Sequence, residues 1–241
     1  MLGCNYRYIN IFGVISVENN KKAIVLFSGG LDSSTALIIA LSQGYQCIAL
    51  TINYKQRHSY EIVSSKIFLK NYKAVEHIVY DLDLSMIEGS ALTDNKIDVP
   101  KIESSGIPVT YVPARNTLFL SIASSFAESK KIKDIFIGVN AIDYSGYPDC
   151  RPEFIKSFEE MINKATKYGL EHGDITIHTP LIELTKAEII KKGTNLGIDY
   201  SKTVSCYSLD SDGSACGVCD SCRFRKQGFQ DAGIEDPTIY K

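Results

Sequence analysis

The sequence has no hydrophobic run that could cross a membrane and no excess of basic residues. No window of the chain approaches the roughly 20 apolar residues that a transmembrane helix requires. The 26 Lys and Arg residues are balanced by 28 Asp and Glu residues, and the resulting net charge of −2 argues against a large nucleic-acid-binding surface. The N-terminal residues lack the basic start and the uninterrupted apolar stretch of a signal peptide. We therefore expect a cytoplasmic protein that has neither a membrane nor a nucleic acid as a partner.

What the chain does contain is an alternation of strand and helix patterns. Strands are predicted at 23–27, 45–54, 75–82, 134–139 and 175–181, and helices at 33–44, 59–72, 115–130, 151–169 and 185–197. Such alternation is typical of α/β proteins with a doubly wound parallel sheet, which has helices on both faces and binds ligands at the carboxyl ends of its strands. Within it, the polar segment 83–112 contains two glycines and two prolines and predicts an excursion from the sheet.

Three parts are expected from this pattern. Residues 1–20 precede the first clear strand and form an N-terminal extension, either an extra strand or a loosely held segment. Residues 21–200 carry the α/β pattern and form the main domain. Residues 201–241 contain a cluster of cysteines and form a small C-terminal metal-binding segment.

A glycine turn joins the first predicted strand to the helix that follows, in the sequence Ser28-Gly29-Gly30-Leu31-Asp32-Ser33-Ser34. The glycines let the backbone turn sharply and approach a ligand, and the helix start carries about half a positive charge. The serines add hydroxyl groups, so the turn predicts a phosphate site. The lysine of a Gly-x-x-x-x-Gly-Lys loop is absent, however. Beside a phosphate, Asp32 is expected to be a helix cap or a metal ligand. The alternative is a strand-to-helix turn with capping serines and no ligand.

Four cysteines lie within seventeen residues near the C-terminus: Cys206, Cys216, Cys219 and Cys222. In a reducing cytosol such a cluster favours a metal site over disulfides. Four thiolates with no open position are typical of structural zinc, and an iron–sulfur cluster is the chemical alternative. Because the segment is too short to build a core of its own, the ion is expected to hold it to the domain.

Polar residues follow several predicted strands and are candidates for a substrate pocket. These candidates are Arg57, His58, Arg115, Asn116, Asp143, Asp149 and Arg151. Arginine can bind a carboxylate, histidine can hold phosphate or move a proton, and aspartate can bind an amino-imine edge such as that of guanine. The alternatives are a solvated loop around Arg57 and ordinary helix capping at Arg115 and Asn116. Cys150 is either a nucleophile activated by its neighbouring arginine or a residue of the pocket wall.

The glycine turn resembles the SGGxDS[ST] loop of the N-type ATP pyrophosphatases, the adenine nucleotide alpha hydrolase-like group. The resemblance implies that the loop holds the leaving pyrophosphate of ATP while a substrate oxygen attacks the α-phosphate. No γ-phosphoryl group is then transferred, which accounts for the missing lysine. It also implies Mg²⁺ as a screening ion and catalytic roles for Ser28, Asp32 and Ser33. The implied ATP-binding residues are Phe27, Ser28, Gly29, Gly30, Leu31, Asp32, Ser33, Ser34, Thr35, Ala36 and Leu37.

Residues 22–229 further resemble the 7-cyano-7-deazaguanine synthase family of queuosine biosynthesis. The resemblance is carried by FSGGLDSST, QRHSYE, VPARN, DYSGYPDCRPEF and the four cysteines. It implies an ATP-dependent carbon–nitrogen ligase that converts 7-carboxy-7-deazaguanine and ammonia to the nitrile through an adenylated carboxylate and an adenylated amide. Structural Zn²⁺ at the cysteines, substrate contacts from the seven candidates above, and a homodimer are implied as well. Free ammonium is the expected nitrogen source, because the chain has no room for a glutaminase domain.

Two positions depart from that family pattern. Lys55 and Ala114 stand where glycine is expected, before QRH and RN respectively. Neither departure removes a charged or metal-binding group, so they concern the detail of two loops. The alternative within the same class is another ATP pyrophosphatase, either an amidating ligase or a tRNA-thiolating enzyme. Such an enzyme is expected to have a reactive cysteine pair or a basic surface that binds tRNA, and neither is evident in the sequence.

Overall fold

The structure, a computed structural model, describes residues 9–10, 13–14, 21–57, 60–73, 75–94, 96–101, 106–142, 146–210 and 213–241. The strands are β1 Ile9–Asn10, β2 Gly13–Val14, β3 Lys22–Leu26, β4 Gln46–Asn53, β5 Glu76–Asp81, β6 Asp134–Phe136 and β7 Thr176–His178. The α-helices are α1 Leu31–Ser42, α2 Tyr60–Leu69, α3 Arg115–Lys130, α4 Pro152–Ala165, α5 Lys167–His172, α6 Lys186–Asn195 and α7 Asp220–Ala232. Short 3-10 helices occupy Pro148–Cys150 and Tyr200–Lys202.

Strands β3 to β7 form one parallel sheet in the order β5-β4-β3-β6-β7, which confirms the predicted α/β class. The order reverses beside β3, since the chain moves outward to β5 and then returns to place β6 on the other side of β3. Ligands of such sheets bind at this reversal, outside the carboxyl ends of the strands. In the region predicted as an extension, β1 and β2 form a separate antiparallel pair.

Both faces of the sheet are covered, because successive side chains of a strand point to opposite sides. Ala23 and Val25 of β3 pack into a core with α1, α2, α6 and α7, whereas Ile24 and Leu26 pack with α3 and α4. Both cores consist mainly of buried aliphatic and aromatic side chains. No helix among the described residues is both long and apolar enough to span a membrane.

Several elements differ from the predicted pattern. Strands β6 and β7 are three residues long and so are shorter than the predicted strands 134–139 and 175–181. Helix α1 begins at Leu31, inside the glycine turn and ahead of the predicted start at Ser33. The predicted helix 151–169 is two helices, because Thr166 adopts an extended backbone and its hydroxyl accepts a hydrogen bond from the Gly169 N–H, which caps α5. Helix α7 was not predicted at all. In the segment 83–112, no helix or strand occurs among its described residues, as expected.

The C-terminal segment packs onto the domain through α7. Phe229 is buried in the core that contains α1 and α6. Arg225, only 3% exposed, donates hydrogen bonds to the Tyr200 carbonyl and the Thr203 hydroxyl, and pairs with Asp236 at 3.1 Å. The segment is therefore held to the domain by apolar packing and by the contacts of a buried ion pair.

Candidate functional site

The glycine turn is held in one shape by its own hydrogen bonds. The Ser28 and Ser33 hydroxyl oxygens are 3.0 Å apart, and the Ser28 N–H donates to the Ser33 hydroxyl. Gly29 has a φ of +80°, and a Cβ atom there would lie 2.8 Å from the Ser65 backbone nitrogen. Only glycine fits this position without a shift of the backbone. The turn thus presents the open N-terminus of α1 beside two hydroxyl groups.

A lysine far along the chain pairs with the aspartate of this turn. The Lys186 Nζ atom lies 2.7 Å and 2.9 Å from the two carboxylate oxygens of Asp32. Lys186 is the first residue of α6, and its capping box with Thr185 and Glu188 fixes where the helix begins. Its stem passes over Gly228 of α7, where a Cβ atom would lie 2.3 Å from the Lys186 Cγ. The pairing neutralises the one acid of the turn and brings a cation to it.

A cavity of about 300 Å³ opens at the carboxyl ends of β3, β4 and β6. Six of the eleven residues predicted to bind ATP line it: Phe27, Ser28, Gly30, Leu31, Asp32 and Ser33. Lys186 lines it as well, and so does Gly138, where a Cβ would lie 2.9 Å from the Asp32 backbone. The cavity therefore begins at the glycine turn, at the point where the order of strands reverses.

The other predicted ATP residues do not line the cavity. Gly29 shapes the turn from behind, and Ser34, Thr35, Ala36 and Leu37 point into the protein interior. The Thr35 hydroxyl donates to the Leu31 carbonyl and lies 2.8 Å from the Tyr200 hydroxyl. Their burial follows from the early start of α1, which carries these residues into its second turn. A direct contact of these five with ATP stays a prediction.

An arginine and a glutamate, together with aromatic rings, also line the cavity. Arg115, the first residue of α3, and Glu61, in the first turn of α2, both line it. Desolvation works against the charged form of Arg115, but the neighbouring Tyr54 and Tyr147 phenols raise its pKa on balance. The guanidinium also lies 6.0 Å from the centre of the Phe119 ring. This cation persists at every physiological pH and suits an anionic substrate group.

The N-terminus of helix α3 is capped by the side chain of Asp149, which lies 33 positions later in the sequence. The Asn116 N–H donates to Asp149 Oδ2 at 2.9 Å, and its side-chain amide donates to the Asp149 carbonyl and to Cys150 Sγ. Asn116 and Cys150 line the cavity, whereas Asp149 does not. Burial, followed by the Asp149 charge, raises the pKa of Cys150 to about 11. Cys150 is thus a thiol of the pocket wall, and the carboxylate of Asp149 is committed to the helix cap.

The remaining substrate candidates lie elsewhere or outside the described residues. Arg57 donates to the carbonyls of Ala91 and Ile97 and so holds the excursion that contains them. Arg151 is exposed next to the start of α4 and does not line the cavity. His58 and Asp143 lie outside the described residues. Substrate contacts by Arg57, His58, Asp143, Asp149 and Arg151 stay predictions.

The four cysteines converge on one point. The sulfur atoms of Cys206, Cys216, Cys219 and Cys222 all lie within 4.8 Å of one another. Backbone N–H groups of Ser208 and Cys216 point at Cys206 Sγ, and that of Cys219 points at Cys216 Sγ. Such N–H donors stabilise thiolate charge. The cluster is therefore suited to a metal ion.

Comparison with known proteins agrees with this arrangement. The model of the family described as "Queuosine biosynthesis protein QueC" matches residues 22–233. A 7-cyano-7-deazaguanine synthase from Cellvibrio japonicus is 59% identical over 222 residues, which cover 92% of this chain and 99% of that protein. The enzyme of the same name from Methylococcus capsulatus is 58% identical over 221 residues, covering 92% and 99%. This chain belongs to the QueC family.

Among solved structures, this QueC-family chain is similar to a predicted subunit of a tRNA methyltransferase from Methanocaldococcus jannaschii. The two share 19% sequence identity with a TM-score of 0.48, and the match covers 92% of each chain.

The residues that line this QueC-family cavity without having been predicted as site residues include Glu61, Gly138, Lys186 and Arg225. Glu61 belongs to the QRHSYE motif, whose arginine and histidine have side chains more typical of ligands for an anionic substrate. Lys186 carries no local signal except its place directly after a helix cap. Arg225 and Gly138 become visible only when distant elements are packed together.

Proposed function

We propose that this chain converts 7-carboxy-7-deazaguanine and ammonia to 7-cyano-7-deazaguanine with ATP, as its relatives' names and its cavity both support. The observation that carries the proposal is that a single cavity joins the phosphate-type turn at Ser28–Ser33 to the cation of Arg115. ATP would be held at the first end and a carboxylate-bearing substrate at the second.

The chemistry requires that a poor leaving group be activated twice. Adenylation converts a carboxylate oxygen into a leaving group, ammonia then forms the amide, and a second adenylation lets the amide oxygen leave as the nitrile forms. The Ser28 and Ser33 hydroxyls and the N–H groups at the start of α1 would stabilise the departing pyrophosphate. The Lys186 ammonium would neutralise Asp32, so that the one acid of the turn does not repel the phosphates. Mg²⁺ would screen the phosphates, with Asp32 as its candidate ligand.

Zinc is the ion proposed for the cysteine cluster. Four sulfurs bound tetrahedrally to one ion at about 2.3 Å lie ~3.8 Å apart. The sulfurs of the cluster lie within 4.8 Å of one another, so a small closure would bring all four onto one ion. In a cubane cluster each thiolate would bind a different iron, which spreads the sulfurs further. The ion would have a structural role, since all four positions are filled by protein ligands. A cytoplasmic homodimer that acts on small molecules is proposed on the family resemblance, and sedimentation velocity tests the dimer.

The assay for the main proposal combines the protein with ATP, Mg²⁺, ammonium and 7-carboxy-7-deazaguanine. The expected products are the nitrile, AMP and pyrophosphate, with two AMP formed per nitrile. Ser33→Ala should lower kcat/KM about 100-fold, since one donor to the developing charge is lost. Ser125→Ala, on the exposed side of α3, is the matched control and should change nothing. AMP release that does not depend on the deazapurine would contradict the proposal.

A further inference from the structure

The carboxylate of Glu61 is held in place by a hydrogen bond from the side chain of Gln56. Its Oε2 atom accepts a hydrogen bond from the Gln56 amide at 3.2 Å, and the Gln56 Oε1 atom accepts one from the Tyr54 backbone N–H at 3.0 Å. The second bond fixes which way the Gln56 amide faces, so its NH₂ group is directed at Glu61. Tyr54 follows directly after β4, which makes this arrangement part of the rigid edge of the sheet.

No ion pair within 4.0 Å involves Glu61 among the described residues, although Arg115 is near enough to affect it. Desolvation raises the pKa of Glu61, while the Arg115 charge and the Gln56 hydrogen bond act in the opposite direction. The Arg115 guanidinium lies 6.0 Å from the centre of the Phe119 ring and 5.8 Å from that of the Tyr147 ring. Glu61 therefore presents a half-buried carboxylate to the cavity, with acceptor capacity left over after Gln56 is bound.

A carboxylate in such a place selects among flat heterocycles by hydrogen-bond pattern. A deazaguanine ring presents two adjacent donors, the N1–H and the 2-amino N–H, which match the two oxygens of one carboxylate. Adenine presents a donor and an acceptor on the corresponding edge, so a carboxylate would face the N1 lone pair and be repelled. Tyr54, Phe119 and Tyr147 line the same part of the cavity and offer apolar surface for a planar ring.

We propose that Glu61 is a specificity-determining residue that binds the N1–H and 2-amino groups of the deazaguanine ring. The inference rests on the proposed function and names the side chain that recognises the deazaguanine ring. Gln56 acts behind it as a positioning residue, since it touches Glu61 and not the ring.

The test compares 7-carboxy-7-deazaguanine with its analogue that lacks the 2-amino group. The unaltered protein should prefer the amino form about 100-fold in kcat/KM, because the analogue leaves a desolvated carboxylate oxygen unpaired. In Glu61→Gln that preference should fall below about 5-fold, mainly through a higher KM for the deazaguanine, with the KM for ATP unchanged. The glutamine keeps the shape and can still accept from Gln56.

Two further variants complete the test. Glu153→Gln changes an exposed carboxylate in the first turn of α4 and should leave every constant unchanged. Glu61→Asp keeps the negative charge but shortens the side chain by one methylene group. If thermal melting shows that this variant is folded, its preference for the amino form should lie between those of the unaltered protein and Glu61→Gln. Retention of the full preference by Glu61→Gln, or a rise in the KM for ATP as large as that for the deazaguanine, would overturn the inference while the proposed function stands. If the unaltered protein turns over neither compound, the proposed function and this inference fall together.

Discussion

Ala114 adopts a backbone conformation that favours glycine. We therefore expect the substitution Ala114→Gly to stabilise the folded protein. Its φ of +54° and ψ of +23° lie in the left-handed region, as does the φ of +62° at Lys55. These are the two positions at which the sequence departs from the glycine expected of its family. A non-glycine residue in this region costs about 1–2 kcal/mol. The structure thus gives a physical reason why glycine is expected at both places.

The net effect of Ala114→Gly can be worked out from three contributions. Release of the left-handed strain stabilises the fold by about 1–2 kcal/mol. Ala114 is also the N-cap of α3, and glycine is a better N-cap than alanine. Against this, glycine makes the unfolded chain freer by about 0.4–1 kcal/mol. The exposed methyl group has no packing to lose, so we expect a gain of roughly 1 kcal/mol in the free energy of unfolding.

Urea titration and thermal melting of the metal-loaded protein measure this gain. For a chain of this length, 1 kcal/mol corresponds to a rise in Tm of about 2–4 °C. The matched control is Ala165→Gly, the same chemical change at the exposed last residue of α4. There the backbone is helical, and a loss of about 0.5–1 kcal/mol is expected. If both variants lose stability equally, the left-handed strain at Ala114 is not the cause that we assign to it.

Four other changes test the structure at separate points. Arg225→Met removes a buried cation from Asp236 and should lower the free energy of unfolding by about 3 kcal/mol or more in urea titration; a smaller loss would argue against a buried pair. Cys219→Ser should abolish stoichiometric zinc in elemental analysis and lower the Tm, and full zinc retention would refute the site. Cys150, with its pKa raised to about 11 by burial, should react with iodoacetamide at pH 8 at least ~100-fold more slowly than free cysteine. Gly228→Ala places a Cβ 2.3 Å from Lys186 Cγ, so it should weaken ATP binding in calorimetry, whereas the exposed Gln227→Ala should not.

Local signals were sufficient for much of the fold and for the glycine turn that lines the cavity. Helix α3 has the bounds that its pattern predicted, and the glycine turn lines the cavity as expected. Capping at Thr185 is equally local and is confirmed, with its side chain accepting from the Glu188 N–H. Each of these features is decided by residues within a few positions of one another, which is why the sequence alone shows them.

Other features depend on contacts that are distant in sequence. Helix α7 was missed because its sequence reads as cysteine spacers and polar residues, and its apolar contribution rests mainly on Phe229. The glycine in its middle also argues against a helix by propensity alone. Asp149 looked like a ligand because of its neighbours, but the α3 N-terminus it caps lies 33 positions earlier in the chain. A residue's chemistry indicates what it can bind; which partner it meets is decided by packing.

The part of the cavity around the glycine turn combines local and distant information. The turn supplies its shape locally, yet its one charged residue, Asp32, would repel an anion if it stood alone. The charge that corrects this comes from Lys186, 154 positions away in sequence. That contact requires a helix that begins at Lys186, and it requires α7 to carry no side chain at Gly228. A glycine inside a helix lowers helix stability by about 1 kcal/mol, so its presence at this contact indicates that room for the lysine matters more. The neutralisation of Asp32 thus depends on tertiary structure, and the sequence around the turn does not reveal it.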